Sequence, residues 1–304
     1  LSADVDFNVM FSQRGHLTLA HSDRAAFVMA NRAEVNRLQG IDSRLIGRDE
    51  IQALAPSMNI REDATYPVQA ALYHPPGGII RHDAVVWGFA RGADEGGAEI
   101  HPYTEVTGLD RTGDRITGVR TNRGTVSAGV VLNCTAGWST LIADMAGVPL
   151  PITTHILQAC VTEPVKPFLD VVIVSSQMHV YISQTGRGEF VMGSEIEPWT
   201  TYRTQGTLNF LQDLTKHTLE LFPQLEHARI LRAWAGLCDL SPDYSPILGR
   251  TDVENFHVSA GWGTYGFKAA PIVGHTLAEL VATGRTPDLI APFALERFYT
   301  DELV

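Results

Sequence analysis

The chain has little cysteine and fewer basic than acidic residues. Its 304 residues include three cysteines, Cys134, Cys160 and Cys238, which lie far apart and form no C-x-x-C motif. This set favours neither a disulfide framework nor a zinc or other metal site, and it points to a reducing compartment, the cytoplasm by default. Lysine and arginine number 23 against 34 acidic residues, for a formal net charge of −11. Such an acidic chain is not expected to bind nucleic acid over a broad face.

Long apolar runs are also missing from the sequence. No stretch approaches the ~20 apolar residues that span a bilayer, and the N-terminus lacks a basic segment followed by an apolar one. No internal repeat or low-complexity segment is found. With 44% hydrophobic and 19% charged residues, the chain is typical of a globular protein with one large core or two intermediate ones. No membrane association is expected.

The first half of the chain alternates between strand-like and helix-like patterns. Residues 7–20 predict a strand, a turn and a strand. Residues 22–40 predict a helix with a Ser/Asp start and a glycine stop, and shorter helices are predicted at 47–56 and 81–96. The β-rich segment 99–137 contains three runs separated by glycine turns, which indicates a meander that ends in a buried strand.

The second half of the chain begins with a segment that is mostly strand-like. Residues 149–238 contain several strand-like runs and one amphipathic helix at 204–225, which indicates a second sheet covered by a helix. The sequence NFHVSA at 255–260 predicts a buried strand. Pro271 is expected in the first turn of the helix that follows, since proline is tolerated there.

The stretch AGWGTYGFKAAP, residues 260–271, lies between that strand and that helix. Glycines let the backbone approach a ligand closely, and unpaired N–H groups at a helix N-terminus can meet an anion or a polar ring edge. Lys268 adds a positive charge. The alternative interpretation is a tight turn with a solvated lysine.

The order of the motifs around this loop is similar to the order found in a known enzyme superfamily. W-x-G, Pro-Asp, P-x-x-G, a strand and G-x-G-x-x-G-F follow one another in residues 234–267, and this order resembles the C-terminal signature of D-amino-acid-oxidase-like flavoenzymes. The segment VVLNCTAGWS at 130–139 resembles the strand that ends beside the flavin dinucleotide in that superfamily. The segment 75–100 resembles its glycine turn and following helix.

Seven short segments resemble one family of this superfamily in order and spacing, the beta subunits of heterotetrameric sarcosine oxidases. They are FNVMFSQRG, RHDAVVWGFAR, HILQACVTEPV, HVYISQ, GEFVMG, GWGTYGFKAAP and PFALERF. The resemblance extends over nearly the whole chain.

The resemblance implies an α+β fold of two interleaved domains. The FAD-binding parts are expected at 72–148 and 239–304, and an antiparallel-sheet substrate domain at 1–71 and 149–238. Family members begin with a strand, a G-x-G-x-x-G loop and a helix that cradle the FAD phosphates. Here the one G-x-G-x-x-G motif is at 261–266, so a truncated, non-catalytic flavin-fold module stays open as an alternative.

The resemblance also implies an activity, the oxidation of sarcosine (N-methylglycine) by hydride transfer to FAD. Lys268 matches the lysine that holds the substrate carboxylate in related oxidases. His179 matches a histidine of the substrate pocket, where it could favour the neutral amine; the alternative is a strand histidine bonded to backbone. An oxidase or dehydrogenase for glycine, dimethylglycine or proline stays open.

The same resemblance assigns cofactor contacts to the two glycine turns. The residues expected to bind FAD are Gly261, Gly263, Thr264, Gly266, Phe267, Ala136 and Gly137. The rings of Trp262, Tyr265 and Phe267 either wall the flavin or pack on the core. Asp243 and Arg250 are interpreted as structural residues that fix a turn.

Sarcosine oxidase beta subunits also tether a second flavin, FMN, through a histidine. His82 lies at the matching motif, at the opening of its helix, and His155 is a weaker candidate. The alternative for His82 is a first-turn residue without a ligand. The resemblance implies alpha, gamma and delta partner subunits, because the FMN of the family lies between the alpha and beta chains.

Overall fold

The computed structural model describes residues 2–300 and 302–304 of the chain. Within them the strands are β1 (Ser12–Gln13), β2 (His16–Ala20), β3 (Arg44–Gly47), β4 (Ala70–His74), β5 (Gly78–Ile79), β6 (Val106–Thr112), β7 (Arg115–Thr121), β8 (Gly124–Ser127), β9 (Val131–Asn133), β10 (Thr153–Thr162), β11 (Val172–Ser175), β12 (Val180–Gln184), β13 (Phe190–Thr200), β14 (Ile230–Leu240), β15 (Ile247–Arg250) and β16 (Phe256–Ala260). The α-helices are α1 (Asp23–Leu38), α2 (Arg48–Leu54), α3 (His82–Glu95), α4 (Ser139–Ala146), α5 (Leu208–Leu221), α6 (Gly266–Thr283) and α7 (Arg297–Thr300).

The chain divides into two compact units, each built from several chain segments. The first unit comprises Leu1–Ile100, Gln158–Glu195 and Gln205–Ala235. The second comprises His101–Leu157, Ile196–Thr204 and Gly236–Val304.

The first boundary of this division differs from the predicted one at residues 71 and 72. Residues 72–100 belong to the first unit. The reason is that β4 lies inside the large sheet of that unit, paired with β2 and β3. In addition, α3 packs through Gly88 on the side chains of Val5 and Phe7.

An eight-stranded sheet carries the core of the first unit. Its strand order is β14-β10-β13-β12-β11-β2-β4-β3, with β11 parallel to β2. Alternate residues of the strands point into the core, as the period of two requires. Ile173 and Ile182 are fully buried there together with Phe210 and Leu214 of α5. Both the predicted second sheet and its covering helix are confirmed.

Helix α1 shows why the sequence predicted its ends so closely. The Ser22 hydroxyl accepts a hydrogen bond from the Ala25 N–H at 3.2 Å and caps the first turn. At the other end, Gly40 has a φ of +77°, in the left-handed region that favours glycine. The helices predicted at 47–56 and 81–96 are also present, as α2 and α3.

The second unit contains two three-stranded sheets. The predicted meander is the antiparallel sheet β6-β7-β8. The other sheet has the order β15-β16-β9, and β16 runs parallel to β9, with Val258 beside Asn133. All five residues of β16 are buried, as predicted.

The start of α6 corrects one expectation. The helix begins at Gly266, so Pro271 lies inside it and not in its first turn. A proline at the sixth position removes a helical hydrogen bond, which the helix tolerates because its other residues continue the ladder. Gly266, Phe267 and Lys268 are therefore helical residues, and the loop before the helix is shorter than predicted.

The helices of the described part of the chain do not have membrane-spanning character. Across residues 2–300 and 302–304, none is both long enough and apolar enough to cross a bilayer.

Candidate cofactor and substrate site

Two loops of the second unit lie side by side because the strands before them are neighbours. Strands β9 and β16 are parallel, so their carboxyl ends meet at one edge of the sheet. From this edge emerge the 3-10 turn Ala136–Trp138 and the glycine loop 261–265, and the turn contacts β16. In α/β sheets, ligands bind at the carboxyl ends of such strands.

Asn133 shapes the first loop. It is 2% exposed, and its side-chain oxygen accepts hydrogen bonds from the Thr135 N–H at 3.2 Å and the Thr135 hydroxyl at 2.7 Å. Its amide nitrogen donates to the Ser139 carbonyl at 2.9 Å. The amide thus joins both ends of the turn and holds Ala136, which has a φ of +48°. Asn133 was missed from the sequence, although it is a lone amide at the end of an apolar strand.

Gly137 is placed by close packing. It is buried, and a Cβ atom there would lie 2.5 Å from Leu237 Cβ. Its carbonyl accepts a hydrogen bond from the Thr154 hydroxyl at 2.7 Å. The absence of a side chain at this position is therefore explained by the neighbouring strands, while the contact with a cofactor stays a prediction.

Asp239 binds the start of the glycine loop. Its carboxylate Oδ2 accepts a hydrogen bond from the Gly261 N–H at 2.6 Å, and its main-chain carbonyl accepts one from the Gly263 N–H at 2.8 Å. The expectation that unpaired N–H groups of this loop await an anion is therefore wrong for Gly261 and Gly263. Asp239 was also missed, although it is a lone carboxylate in an apolar strand end, LCDL.

The first turn of α6 combines two features that favour an anion. No side chain caps the helix at Tyr265, among the residues that the structure describes. Lys268 lies in this first turn, exposed, with its Nζ 5.2 Å from the centroid of the Tyr265 ring. A cation at the positive end of a helix is unfavourable by itself, and an anion bound there is stabilised by both charges.

Of the three aromatic residues, Trp262 packs on the core, and a role for the other two in walling the flavin stays a prediction. Trp262 packs against the core cluster formed by Leu248, Leu277, Leu280 and Ile290. Its indole N–H donates to the Ser259 hydroxyl at 3.1 Å. The side chains of Tyr265 and Phe267 are 60% and 47% exposed. They leave apolar surface beside the first turn of α6.

His179 lies in the first unit, at the turn between β11 and β12. Its side chain is exposed and its φ is +51°, an uncommon value for a residue with a side chain. It is close to His217, whose pKa is lowered by burial and further by the nearby charges of Lys216 and His179. The His217 ring contacts Tyr66 edge-on, with centroids 5.9 Å apart. Titratable groups from the turn, from α5 and from the loop before β4 thus lie near one another.

The two histidines considered for FMN differ in their surroundings. His82 is the first residue of α3 and is exposed. His155 has both ring nitrogens engaged, Nδ1 with the Glu197 carbonyl at 2.8 Å and Nε2 with the Thr153 hydroxyl at 3.1 Å. A ring nitrogen must be available to bond a flavin carbon, so the geometry favours His82.

Asp243 has the structural role that the sequence predicted, but with another partner. Its carboxylate binds the Arg297 guanidinium, not Arg250, and the Ser245 N–H. Arg250 instead donates to the Gly284 carbonyl. These contacts anchor the C-terminal part of the second unit.

Comparison with known proteins places the chain among flavoenzymes. A family model described as FAD dependent oxidoreductase matches residues 1–280. The chain belongs to this FAD-dependent oxidoreductase family. The helices and sheets of the chain agree with the α+β fold expected from the resemblance, which is confirmed.

Two curated relatives and two solved structures illustrate the relationship. The chain is 41% identical to a sarcosine oxidase subunit beta from an Arthrobacter species, over all of this chain and 75% of the relative. It is also 41% identical to the subunit of that name from Rhodobacter capsulatus, over all of this chain and 73% of the relative. An L-proline dehydrogenase from P. horikoshii has a TM-score of 0.91 at 31% identity, covering 100% of this chain and 80% of that one. A glycine oxidase from Geobacillus kaustophilus has a TM-score of 0.86 at 20% identity, covering 97% and 78%, and shows the shared fold.

The residues of this family member fit a flavin at the edge of its β15-β16-β9 sheet. A flavin ring is planar and carries polar atoms along one edge. The exposed rings of Tyr265 and Phe267 offer apolar surface. The uncapped first turn of α6 offers N–H groups for a polar or negatively charged edge.

Proposed function

We propose that the chain oxidises sarcosine as the beta subunit of a hetero-oligomeric sarcosine oxidase. The observation that carries the proposal is the 41% identity to two bacterial beta subunits over the full length of this chain. The overall reaction converts sarcosine, water and dioxygen into glycine, formaldehyde and hydrogen peroxide. When bound, FAD supplies the hydride acceptor for the substrate C–H bond.

In this proposal Lys268 binds the substrate. Its ammonium holds the carboxylate of the amino acid, the one anionic handle that sarcosine offers. Binding at that end orients the methyl group for hydride loss. The charge acts more strongly once ligands exclude water from the exposed site, because the local dielectric constant falls.

The proposed contacts to FAD lie on both loops of the sheet edge. They involve Ala136, Gly137, Gly261, Gly263, Thr264, Gly266 and Phe267. At the two glycines of the second loop the contact is a close approach of the main chain, because their N–H groups are bonded to Asp239. The N–H groups of the first turn of α6 would bind a polar edge of the ring.

His179 is proposed to act on the substrate amine. Hydride leaves only from the neutral amine, and an imidazole is a side chain that can accept the proton of that amine near neutral pH. The positive φ of His179 supports a functional role, since such backbone conformations are uncommon outside glycine and cluster at functional sites.

A second flavin, FMN, is proposed on His82. The attachment joins a ring nitrogen of His82 to the 8-methyl carbon of the flavin. The methyl C–H and the imidazole N–H each give up a proton, and the two electrons released pass to dioxygen, which becomes hydrogen peroxide. Val86 and Trp87 on the same helix are 61% and 67% exposed, which suits a surface covered by another subunit. The proposal includes alpha, gamma and delta partner chains and a location in the cytoplasm.

L-proline is the second candidate substrate. The likeness to the L-proline dehydrogenase, with a TM-score of 0.91 and 31% identity, favours it. Proline and sarcosine are both secondary amino acids with one carboxylate, so Lys268 would serve either. The size of the pocket beside the amine would separate them, because proline closes a ring where sarcosine has a methyl group.

The test begins with intact-mass spectrometry of the protein purified with its native partners. The proposal expects the added mass of one FMN, and its loss in the variant His82→Gln. His155→Gln is the matched control and keeps the added mass. Anaerobic sarcosine should then bleach the visible flavin absorbance faster than proline, glycine or dimethylglycine. A preparation without flavin that sarcosine leaves unchanged would support the non-catalytic module instead.

A further inference from the structure

Asp239 lies close to the end of β14 and is buried, with 3% of its surface exposed. Its carboxylate faces the main-chain N–H groups of Gly261, Trp262 and Gly263, and bonds the first at 2.6 Å. The main chain of Asp239 also bonds the loop: its carbonyl accepts a hydrogen bond from the Gly263 N–H at 2.8 Å. The next residue, Leu240, forms an isolated antiparallel bridge with Trp262. Three consecutive loop residues are thus held by the end of one strand.

The loop has the backbone shape that suits an anion. Gly261 and Gly263 have φ values of +74° and +54°, so successive N–H groups can turn to the same side. Such a concave arrangement of N–H groups is an anion site, and a carboxylate bound there makes charge-assisted hydrogen bonds. In this chain the anion is the Asp239 side chain.

Core packing by itself gives no reason for a carboxylate at this position. Burial raises the pKa of Asp239, and the N–H groups of the loop oppose that rise. The neighbouring thiol responds as well, since the Asp239 charge adds to burial in raising the pKa of Cys238 to about 12. An apolar side chain would avoid the desolvation of the charge. The hydrogen bonds that Asp239 accepts from Gly261 and Gly263 instead fix the path of the loop.

We propose that Asp239 is a positioning residue that holds the loop Gly261–Gly263 in its left-handed path. The loop leads directly into α6, so its path sets the first turn of that helix and the position of Lys268. The consequence for substrate binding rests on the proposed function of Lys268. The consequence for the loop does not.

The first experiment measures the loop without any ligand, by amide hydrogen exchange in a peptide covering residues 257–264. In the wild-type chain the Gly261 amide should exchange as slowly as the amides of β16, because its acceptor is a buried carboxylate. The variant Asp239→Asn keeps the size and one acceptor oxygen, but it is neutral and turns an NH2 group toward N–H donors. We expect exchange of the loop peptide to become at least ~10-fold faster, and to accelerate more than exchange in β2 of the other unit, because the loop N–H donors lose a charged acceptor.

Thr276→Val is the matched control in α6. Thr276 is buried, and its hydroxyl donates to the carbonyls of Ile272 and Val273 in its own helix. This variant should alter global stability without changing exchange in the loop peptide. Equal exchange in Asp239→Asn and the wild type would overturn the proposal. So would a rapidly exchanging Gly261 amide in the wild type, a measurement that needs no variant to fold.

The second experiment uses the flavin-containing enzyme. A displaced Lys268 should raise the KM for sarcosine in Asp239→Asn by about 10-fold with a smaller change in kcat, and FAD should bind about 10- to 100-fold more weakly. Wild-type chain that binds no flavin, combined with faster loop exchange in the variant, would refute the proposed function and leave the role of Asp239 in the loop intact. Faster loop exchange with an unchanged KM would refute its effect on Lys268.

Discussion

Arg297 and Asp243 form a buried, two-pronged ion pair that closes the C-terminal part of the second unit. Arg297 Nε lies 2.8 Å from Asp243 Oδ2, and a terminal guanidinium nitrogen lies 3.0 Å from Oδ1. The two side chains are only 3% and 4% exposed. The guanidinium also donates to the Ser245 carbonyl at 2.9 Å, and the Asp243 carboxylate accepts the Ser245 N–H at 3.1 Å.

Removal of Arg297 should be strongly destabilising. The variant Arg297→Ala leaves the Asp243 carboxylate buried without its cation, which costs about 3–5 kcal/mol. Chemical denaturation monitored by fluorescence measures the loss. The control Arg285→Ala breaks an ion pair with Glu279 in which the arginine is 79% exposed, so its effect should stay within about 1 kcal/mol. Similar losses in both variants would contradict the importance of burial.

The same pair should make the protein sensitive to acid. The Arg297 guanidinium holds the pKa of Asp243 well below its usual range. The folded state therefore binds this proton less readily than the unfolded state, so the stabilisation is complete above the unfolded pKa of ~3.9. It falls as the pH drops below that value toward the folded pKa. Denaturation midpoints measured from neutral to acidic pH should show a steeper acid loss in the wild type than in Asp243→Asn, and parallel curves would count against this origin.

The three cysteines should differ in reactivity. Burial raises the pKa of the Cys160 thiol to about 11 and, with the Asp239 charge, that of Cys238 to about 12. At a pH of ~8, roughly one Cys160 thiol in a thousand is then ionised. Cys134 is exposed. Alkylation followed by peptide mass spectrometry should modify Cys134 first, and FAD should slow that reaction, since the loop that follows Cys134 belongs to the proposed site. If Cys160 were alkylated at the same rate in the native and the unfolded protein, the prediction that burial protects it would be refuted.

Gly137 should not tolerate a side chain. In Gly137→Ala the new Cβ would meet Leu237 Cβ at 2.5 Å, and overpacking of this kind costs about 1–3 kcal/mol. Gly274, inside α6, has no atom within 4 Å of such a position. Gly274→Ala should therefore stabilise the protein by about 0.5–1 kcal/mol, because alanine favours the helix. Thermal unfolding separates the two, and a loss in both would contradict the packing argument.

Lys268 should affect substrate binding more than stability. In the flavin-containing enzyme, Lys268→Met should lower kcat/KM for sarcosine by about 10- to 100-fold through KM, the size expected for a hydrogen bond to a charged group. Lys166→Met is the matched control, since Lys166 is an exposed lysine of the loop between β10 and β11 in the other unit. An unchanged KM in Lys268→Met would remove it from the substrate site. Intact thermal stability in both variants is required for the comparison.

The sequence by itself determined the local elements and the family. The N-cap at Ser22, the stop at Gly40 and the apolar run of β16 act between residues close in the chain, so their patterns predict structure without knowledge of the fold. The glycine loop and Lys268 were found in the same way. The position of Pro271 was misjudged, because a helix can accept a proline beyond its first turn when packing favours the longer helix.

Only the tertiary structure decided the contacts that hold the site together. Asp239 and Gly261 are 22 residues apart, and Asp243 and Arg297 are 54 apart. No local pattern specifies such a pair, because the partner of a buried charge depends on which strand ends the fold brings together. The division at Ile100 has the same origin, since strand pairing of β4 with β2 and β3 is a long-range choice made by the whole sheet.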